Sequence, residues 1–486
     1  MYYTESICQD GFKPSRFESD GRIALRGEDI CFHTVSEDNV FYGTDGKAIA
    51  SLYSYSYFRT NVENVKERPV IFAFNGGPGS SSKYVHAGFL APKRIHYSEP
   101  LDRPSSLPPY EVIDNPECLL DIADIVIIDP VGVGYGVLLD ETKKDEFYGI
   151  EADAEVLLAF IEKWCARYGR FNSPKYMIGE SYGCTRAATA AGIASMGGKD
   201  HSYGVRFDGI VFIGNTVAPF KYFCDGLTVP YAVLGFPSYA AVNWYHNHPS
   251  DQTVEEFFNE AKAFADHDYL LALYKGEELT GEERAEIKRK ISYYTGVSDE
   301  YLEKHSLEID QDSFGGEVLK GKGLAVGRCD ARFTRPLYNP PLAEEDAKHG
   351  FYDDAVMDRY DSYFYSVMTG VIAPMLNINL ERSYIPSKKM WPNWKLECDG
   401  GNTGERLRDA MNTTFGMRAF FANGYYDICT ESGPIYYTLS HSGLPREHCF
   451  VKNYPSGHMI YIGEDNIKEL TDDIRKFVLC LDMNMK

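Results

Sequence analysis

An α/β fold, in which a mainly parallel central sheet carries helices on both faces, is what this sequence predicts. Three observations point to it. Short continuous apolar runs at 69–74 (PVIFAF) and 125–128 (IVII), each closed by turn residues, suit strands buried on both sides. Residues 151–168 carry Val156, Leu157, Phe160, Ile161 and Trp164 at helical spacing. Further apolar runs at 175–178, 209–213 and 418–422 extend the alternation of strand and helix along the chain.

Taken in order, the first 70 residues read as β. The aromatic-rich stretch 48–58 alternates partially, as a half-buried antiparallel strand should. The alanine-rich 184–192 reads as a helix that follows the strand at 175–178. Between about 220 and 350 the texture changes: 253–265, 268–274 and 281–294 are amphipathic, charged and separated by turn residues, and no buried-strand run appears. An inserted helical cap at 220–349 is therefore expected on a core built from 1–219 and 350–486. The stretch 330–349, with Pro336, Pro340 and Pro341, would be its exit loop. The run at 450–454 supplies a last strand, and 464–481 a C-terminal helix.

Composition narrows the function. The 486 residues hold 71 acidic against 49 basic side chains, a formal charge of −22, which opposes nucleic acid or an anionic membrane as partner. No basic, then apolar leader opens the chain, and no apolar run approaches the roughly 18–20 residues of a spanning helix. Eleven cysteines are scattered without a C-x-x-C pair, which suits reduced thiols and a cytoplasmic location.

Residues 179–183 read Gly-Glu-Ser-Tyr-Gly between the strand at 175–178 and the alanine-rich helix. G-x-S-x-G in a strand–turn–helix setting is a nucleophile elbow, which exposes a serine hydroxyl above the sheet of an α/β-hydrolase fold. Ser181 would then be the nucleophile. In that architecture the acid and the histidine follow in chain order, each on a loop after a strand. Asp427 stands about five residues past the strand at 418–422, and His458 follows the strand at 450–454. Alone, an aspartate after a strand is usually a turn or cap residue, and a histidine near a terminus usually a surface group. Their order and placement together assign a Ser181–His458–Asp427 triad. The oxyanion donors expected are the N–H of Tyr182 and one from the glycine-rich 75–82 loop, Asn-Gly-Gly-Pro-Gly-Ser-Ser-Ser. Gly132-Val-Gly134 lacks the third glycine of a dinucleotide fingerprint, and no P-loop lysine pattern is present. His246-Asn-His248 has no carboxylate or cysteine at metal-ligand spacing and reads as structural, so neither metal nor cofactor is expected.

Together, F-N-G-G-P-G-S-S-S at 74–82, D-P-V-G-V-G-Y at 129–135, G-E-S-Y-G at 179–183, N-G-Y-Y-D at 423–427 and G-H-M at 457–459 resemble the serine carboxypeptidase family. They look closest to its bacterial branch, which lacks the disulfides of the secreted eukaryotic enzymes. The resemblance implies Ser181 as nucleophile, His458 as general base and then acid, and Asp427 as its orienter. It implies Gly77 and Tyr182 as oxyanion donors, and Asn75, the Gly76 amide and Glu180 as holders of a substrate's free C-terminal carboxylate. The expected activity is thus a serine-type carboxypeptidase acting on peptides. An esterase or acyltransferase with the same triad is the alternative, and a non-catalytic binding protein the remote one. A carboxyl binds another carboxylate only when protonated, so Glu180 in this role favours acidic pH. Its other reading is an ion pair with Arg186. Two positions depart from the family: Phe89 stands where secreted members carry a glutamate that bonds the elbow glutamate, and Ser80 replaces the cysteine of the glycine box.

Overall fold

The computed structural model describes residues 11–97, 101, 107–198, 201–219, 230–337, 354–390, 394–396 and 402–483. β1 (Arg16–Leu25), β2 (Glu28–Tyr42) and β3 (Ala48–Arg59) form an antiparallel meander. β4 (Val70–Phe74) follows, then a separate ribbon of β5 (Lys93–Ile95) and β6 (Val112–Asp114). β7 (Asp124–Asp129) is followed by β8 (Val137–Leu138), which pairs only with β3. β9 (Lys175–Glu180) and β10 (Gly209–Ile213) come next, and β11 (Leu324–Val326) with β12 (Thr334–Pro336) makes a second small ribbon. β13 (Arg418–Gly424) and β14 (Cys449–Tyr454) complete the set. The main sheet runs β1-β2-β3-β7-β4-β9-β10-β13-β14, parallel from β7 onward. This is the mainly parallel α/β-hydrolase arrangement the sequence predicts.

Side chains alternate across a strand, and the core divides accordingly. Ile71, Ile125, Ile178, Val211 and Phe420 point to one face, where the helices Ala355–Val367 and Glu464–Val478 pack. Phe72, Val126, Met177, Phe212 and Phe421 point to the other, under Ile150–Tyr168, Tyr182–Met196 and Thr403–Thr413. Both faces are covered, so β4, β7, β9 and β10 are buried at every position and apolar through their middles. The same cover corrects one expectation. β3 is buried on both faces rather than half-buried, because Trp164 packs on one side and donates its indole N–H to Ser56 Oγ at 3.0 Å. On the other side Tyr55 and Tyr57 pack against His86.

Between β10 and β13 lie the expected helices, at Val254–Phe264, Leu270–Lys275 and Gly281–Thr295. Val254–Phe264 and Gly281–Thr295 each open with a threonine capping box, which satisfies the first free N–H groups. A further helix, Tyr231–Asn247, holds Pro237 and is buried on nearly every side. These elements share a hydrophobic cluster of their own that runs from Ala232 to Ala331 and touches Tyr425, Tyr426 and Ile428 of the core. Pro340 and Pro341 of the expected exit loop lie outside the described residues. Among the described residues no helix is long and apolar enough to cross a membrane.

Candidate active site

Parallel pairing in register brings the carboxyl ends of β4, β9, β10, β13 and β14 to one edge of the sheet: Phe74 lies opposite Gly179, Glu180 opposite Ile213, Ile213 opposite Ala422 and Gly424 opposite Tyr454. Ligands of open α/β sheets bind at this edge. Ser181, Asp427, His458 and the 75–82 loop follow strands of this edge, Glu180 closes β9, and Tyr182 opens the helix after it.

Ser181 sits between β9 and the helix Tyr182–Met196 with φ 59, the left-handed region. For a residue with a Cβ that conformation costs roughly 1–3 kcal/mol and survives only when its surroundings fix it. They do. The Ser181 N–H donates to the Ile213 carbonyl at 2.9 Å, and its own carbonyl accepts from the Cys184 N–H at 2.8 Å and Thr216 Oγ1 at 2.9 Å. The turn is so tight that a Cβ on Gly179 would stand 2.3 Å from the Gly183 carbonyl oxygen, which explains the first glycine of the motif.

Asp427 follows β13 and is fully buried. Its Oδ1 accepts from the N–H groups of Cys429 at 2.7 Å and Thr430 at 2.9 Å; its Oδ2 accepts from Thr430 Oγ1 at 2.7 Å and from His458 Nδ1 at 2.8 Å. Facing Asp427, His458 carries its proton on Nδ1, which leaves Nε2 free to act as a base. Burial works against the imidazolium, but the Asp427 charge outweighs it and raises the His458 pKa above its ordinary value. The ring rests on the end of β10, where a Cβ on Gly214 would lie 2.6 Å from its Cε1 and Nδ1. Ile213, one residue earlier, holds Ser181. Ser181 and His458 thus meet at one strand end, with Asp427 bonded to the imidazole.

The 75–82 loop closes over the helix that starts at Tyr182. A Cβ on Gly76 would stand 2.4 Å from the Tyr182 nitrogen and 2.8 Å from that of Gly183, so only glycine lets the loop approach the helix N-terminus this closely. Asp129, from the D-P-V-G-V-G-Y motif, braces the loop: its Oδ1 accepts from the Ser82 N–H and its Oδ2 from Tyr55 Oη, both at 2.8 Å. Gly134 is there because a Cβ would overlap the Asp129 carboxylate. That motif is therefore scaffold for the loop.

Glu180 is 2% exposed. Asn75 Nδ2 donates to its Oε1 at 2.6 Å and Tyr461 Oη to its Oε2 at 2.7 Å. Burial pushes its pKa up to about 7, against the opposing pull of His458 and of both hydrogen bonds. The alternative ion pair with Arg186 is not formed. Arg186 donates from Nε to Asp153 Oδ2 at 2.6 Å and from Nη1 to the Asn75 carbonyl at 2.7 Å, and so steadies the residue that holds Glu180.

The sequence profile of the serine carboxypeptidase family matches residues 41–296, more than half of the chain. The chain belongs to the serine carboxypeptidase family. It is similar to serine carboxypeptidase-like 20 of Arabidopsis thaliana, 32% identical over 186 residues, which cover 36% of this chain and 34% of that one. Serine carboxypeptidase-like 29 of the same plant is 27% identical over 183 residues, 37% of this chain and 35% of its own. The chain thus spans about a third of the length of the curated relatives it matches. Among solved structures, the prohormone-processing carboxypeptidase Kex1(Δ)p from Saccharomyces cerevisiae covers 94% of this chain and 93% of its own at 12% identity and a TM-score of 0.56, which shows the shared fold.

Two features of this member of the family escape a reading of sequence. The position taken by a glutamate in secreted members is Phe89, whose ring stacks on Tyr461 with centroids 4.7 Å apart. The second partner of Glu180 is therefore a phenol from the His458 loop, three residues past the histidine. The other feature is the segment 328–332, at the end of the inserted region. The Cys329 carbonyl accepts the His458 N–H at 2.6 Å. Arg332, paired with Asp330 at 2.6 Å, donates to the Pro455 carbonyl at 3.2 Å, Ser456 Oγ at 2.9 Å and the Ile462 carbonyl at 3.2 Å. Both ends of the His458 loop hang on one guanidinium. His246 Nε2 bonds the Ala331 carbonyl at 2.6 Å, so that histidine serves the same segment.

Proposed function

We propose that this protein is a serine carboxypeptidase that hydrolyses the last peptide bond of substrates with a free C-terminus through an acyl-enzyme. The observation that carries the reading is Glu180: a buried acid next to the nucleophile, bonded among the described residues by the neutral donors Asn75 and Tyr461 and raised to about 7. Such an acid holds its proton in mildly acidic solution and can donate it to a carboxylate, with Asn75 and the Gly76 amide beside it. Ser181 attacks the scissile carbonyl while His458 Nε2 takes its proton. The N–H groups of Gly77 and Tyr182 receive the developing oxyanion, a contribution of roughly 3–4 kcal/mol per donor in enzymes of this kind. His458 then protonates the leaving amine and later activates the water that frees the acyl group, with Asp427 keeping the ring in the required tautomer.

The same reading treats residues 220–349 as a helical cap over a core of 1–219 and 350–486, supported by the separate hydrophobic cluster between Ala232 and Ala331. It also puts the protein in a reducing, cytoplasmic compartment, supported by eight described cysteines that are all free thiols.

The test compares a blocked dipeptide with its C-terminal amide. At pH 5–6 the free acid should be cleaved at least about tenfold faster, the worth of one charged hydrogen bond. Equal rates would mean that Glu180 reads no carboxylate and that an esterase or acyltransferase describes the site better. Ser181→Ala should abolish hydrolysis and labelling by a fluorophosphonate; retention of either removes Ser181 as nucleophile.

A further inference from the structure

Two thiols with no part in the chemistry above meet behind the triad. Cys329 and Cys429 are free and buried, and their side chains influence each other. They come from loops that are zipped together by backbone bonds: the Ile428 N–H donates to the Arg328 carbonyl at 3.0 Å, and the Ala331 N–H to the Tyr426 carbonyl at 2.9 Å. Each thiol lies on a residue whose backbone holds the triad. The Cys329 carbonyl accepts from the His458 N–H, and the Cys429 N–H donates to Asp427 Oδ1. Cys429 keeps 8% of its surface exposed, whereas Cys118, Cys165 and Cys184 keep none.

We propose that Cys329 and Cys429 form a dithiol modification site that hydrogen peroxide oxidises to a disulfide, which switches the triad off reversibly. The Cys329 side chain and, despite burial, the nearby Arg328 lower the Cys429 pKa to about 6, so Cys429 supplies the thiolate. The thiolate attacks one peroxide oxygen, the O–O bond breaks, hydroxide leaves, and Cys429 becomes a sulfenic acid. The Cys329 sulfur then attacks the Cys429 sulfur and displaces water. Two thiols are oxidised by two electrons, the peroxide is reduced to two waters, and both thiol protons leave with them. The sulfurs must close to a bond of about 2.05 Å. That pulls on the supports of His458 and Asp427 together, and it removes a negative charge beside the imidazolium.

The inference rests on the triad reading, and the test separates the two. Freshly reduced full-length protein is treated with hydrogen peroxide, mapped by peptide mass spectrometry and labelled at Ser181 with a fluorophosphonate. A single disulfide joining Cys329 to Cys429, a loss of about 2 Da, is expected. The labelling rate should fall at least about tenfold, since a small misplacement of the base costs this much. Dithiothreitol should restore it. In Cys429→Ala the ratio of treated to untreated rate should stay near one, whatever that variant's own rate. Thiols that remain alkylatable after treatment, or a disulfide joining other cysteines, would overturn the site; the wild-type map decides this even if the variant does not fold. The expected disulfide with an unchanged labelling rate would overturn the switch. Untreated protein that takes no label counts against the triad reading and leaves the mapping result intact.

Discussion

Asp427 meets four donors, two of them backbone amides, whereas Glu180, equally buried and only a loop away, meets two, both neutral side chains. Backbone donors cannot rotate out of place, and with His458 they leave Asp427 nothing to do but accept. Asn75 and Tyr461 leave Glu180 room for a proton, and burial favours keeping one. On the proposed reading the two acids take opposite tasks, one fixed as an orienter and one able to carry a proton to a ligand. The chemical identity of the carboxyl decides neither task; its donors do.

The largest effect tests the first half of that contrast. Asp427→Asn should lower kcat/KM by about 10³–10⁴, because the amide turns the imidazole to the wrong tautomer. A loss below about tenfold in hydrolysis and in fluorophosphonate labelling alike would break the assignment of Asp427 as orienter. The next effect is on stability. Glu180 is raised to about 7 in the folded protein from an ordinary value of 4.5. The folded state therefore holds an extra proton between those values, and stability falls as pH rises from about 4.5 to about 7, with the full penalty present above it. Glu180→Gln removes a penalty on the order of 3 kcal/mol as an upper bound. Its Tm should exceed that of wild type at pH 8 and approach it at pH 5, and a gap independent of pH would count against a buried, proton-holding Glu180.

In catalysis the same variant should raise KM for a free-acid peptide roughly tenfold at pH 5.5 with little change in kcat. The difference should shrink above pH 7, where wild-type Glu180 has lost its proton. The smallest effect belongs to Tyr461→Phe, expected to raise KM only a few-fold. Since the phenol hydrogen bond lowers the Glu180 pKa, its removal should move the alkaline limb of the kcat/KM profile to higher pH. A shift to lower pH would show that Tyr461 does not donate to Glu180.

The parts of this molecule that can be read from sequence are those where chemistry and chain position coincide. Ser181, Asp427 and His458 each stand a few residues past an apolar strand, and a parallel sheet gathers such ends to one edge by its register. Tyr461 sends no such signal: it is one more aromatic residue in a chain with 36 tyrosines, and only folding lays it beside Glu180. The helix Tyr231–Asn247 is equally hidden. Buried nearly all round, it has no polar stripe, and Gly235 and Pro237 mark its middle as a break. The 328–332 segment is legible only as charged loop; its work comes from where Arg332 and Cys329 land, against a loop more than a hundred residues onward. The covered face of β3 depends likewise on Trp164, which belongs to another element.

One consequence follows from the way neighbouring strands bring the catalytic groups together. The Ser181 turn is completed by β9 and β10, but the proposed base, His458, follows β14, the last strand in chain order among the described residues. While it folds, the chain therefore carries a shaped but unarmed serine, and on the proposed reading it cleaves nothing until β14 docks. Reactivity at Ser181 becomes a clock for the end of folding: in refolding experiments, labelling should lag behind the recovery of helical circular dichroism.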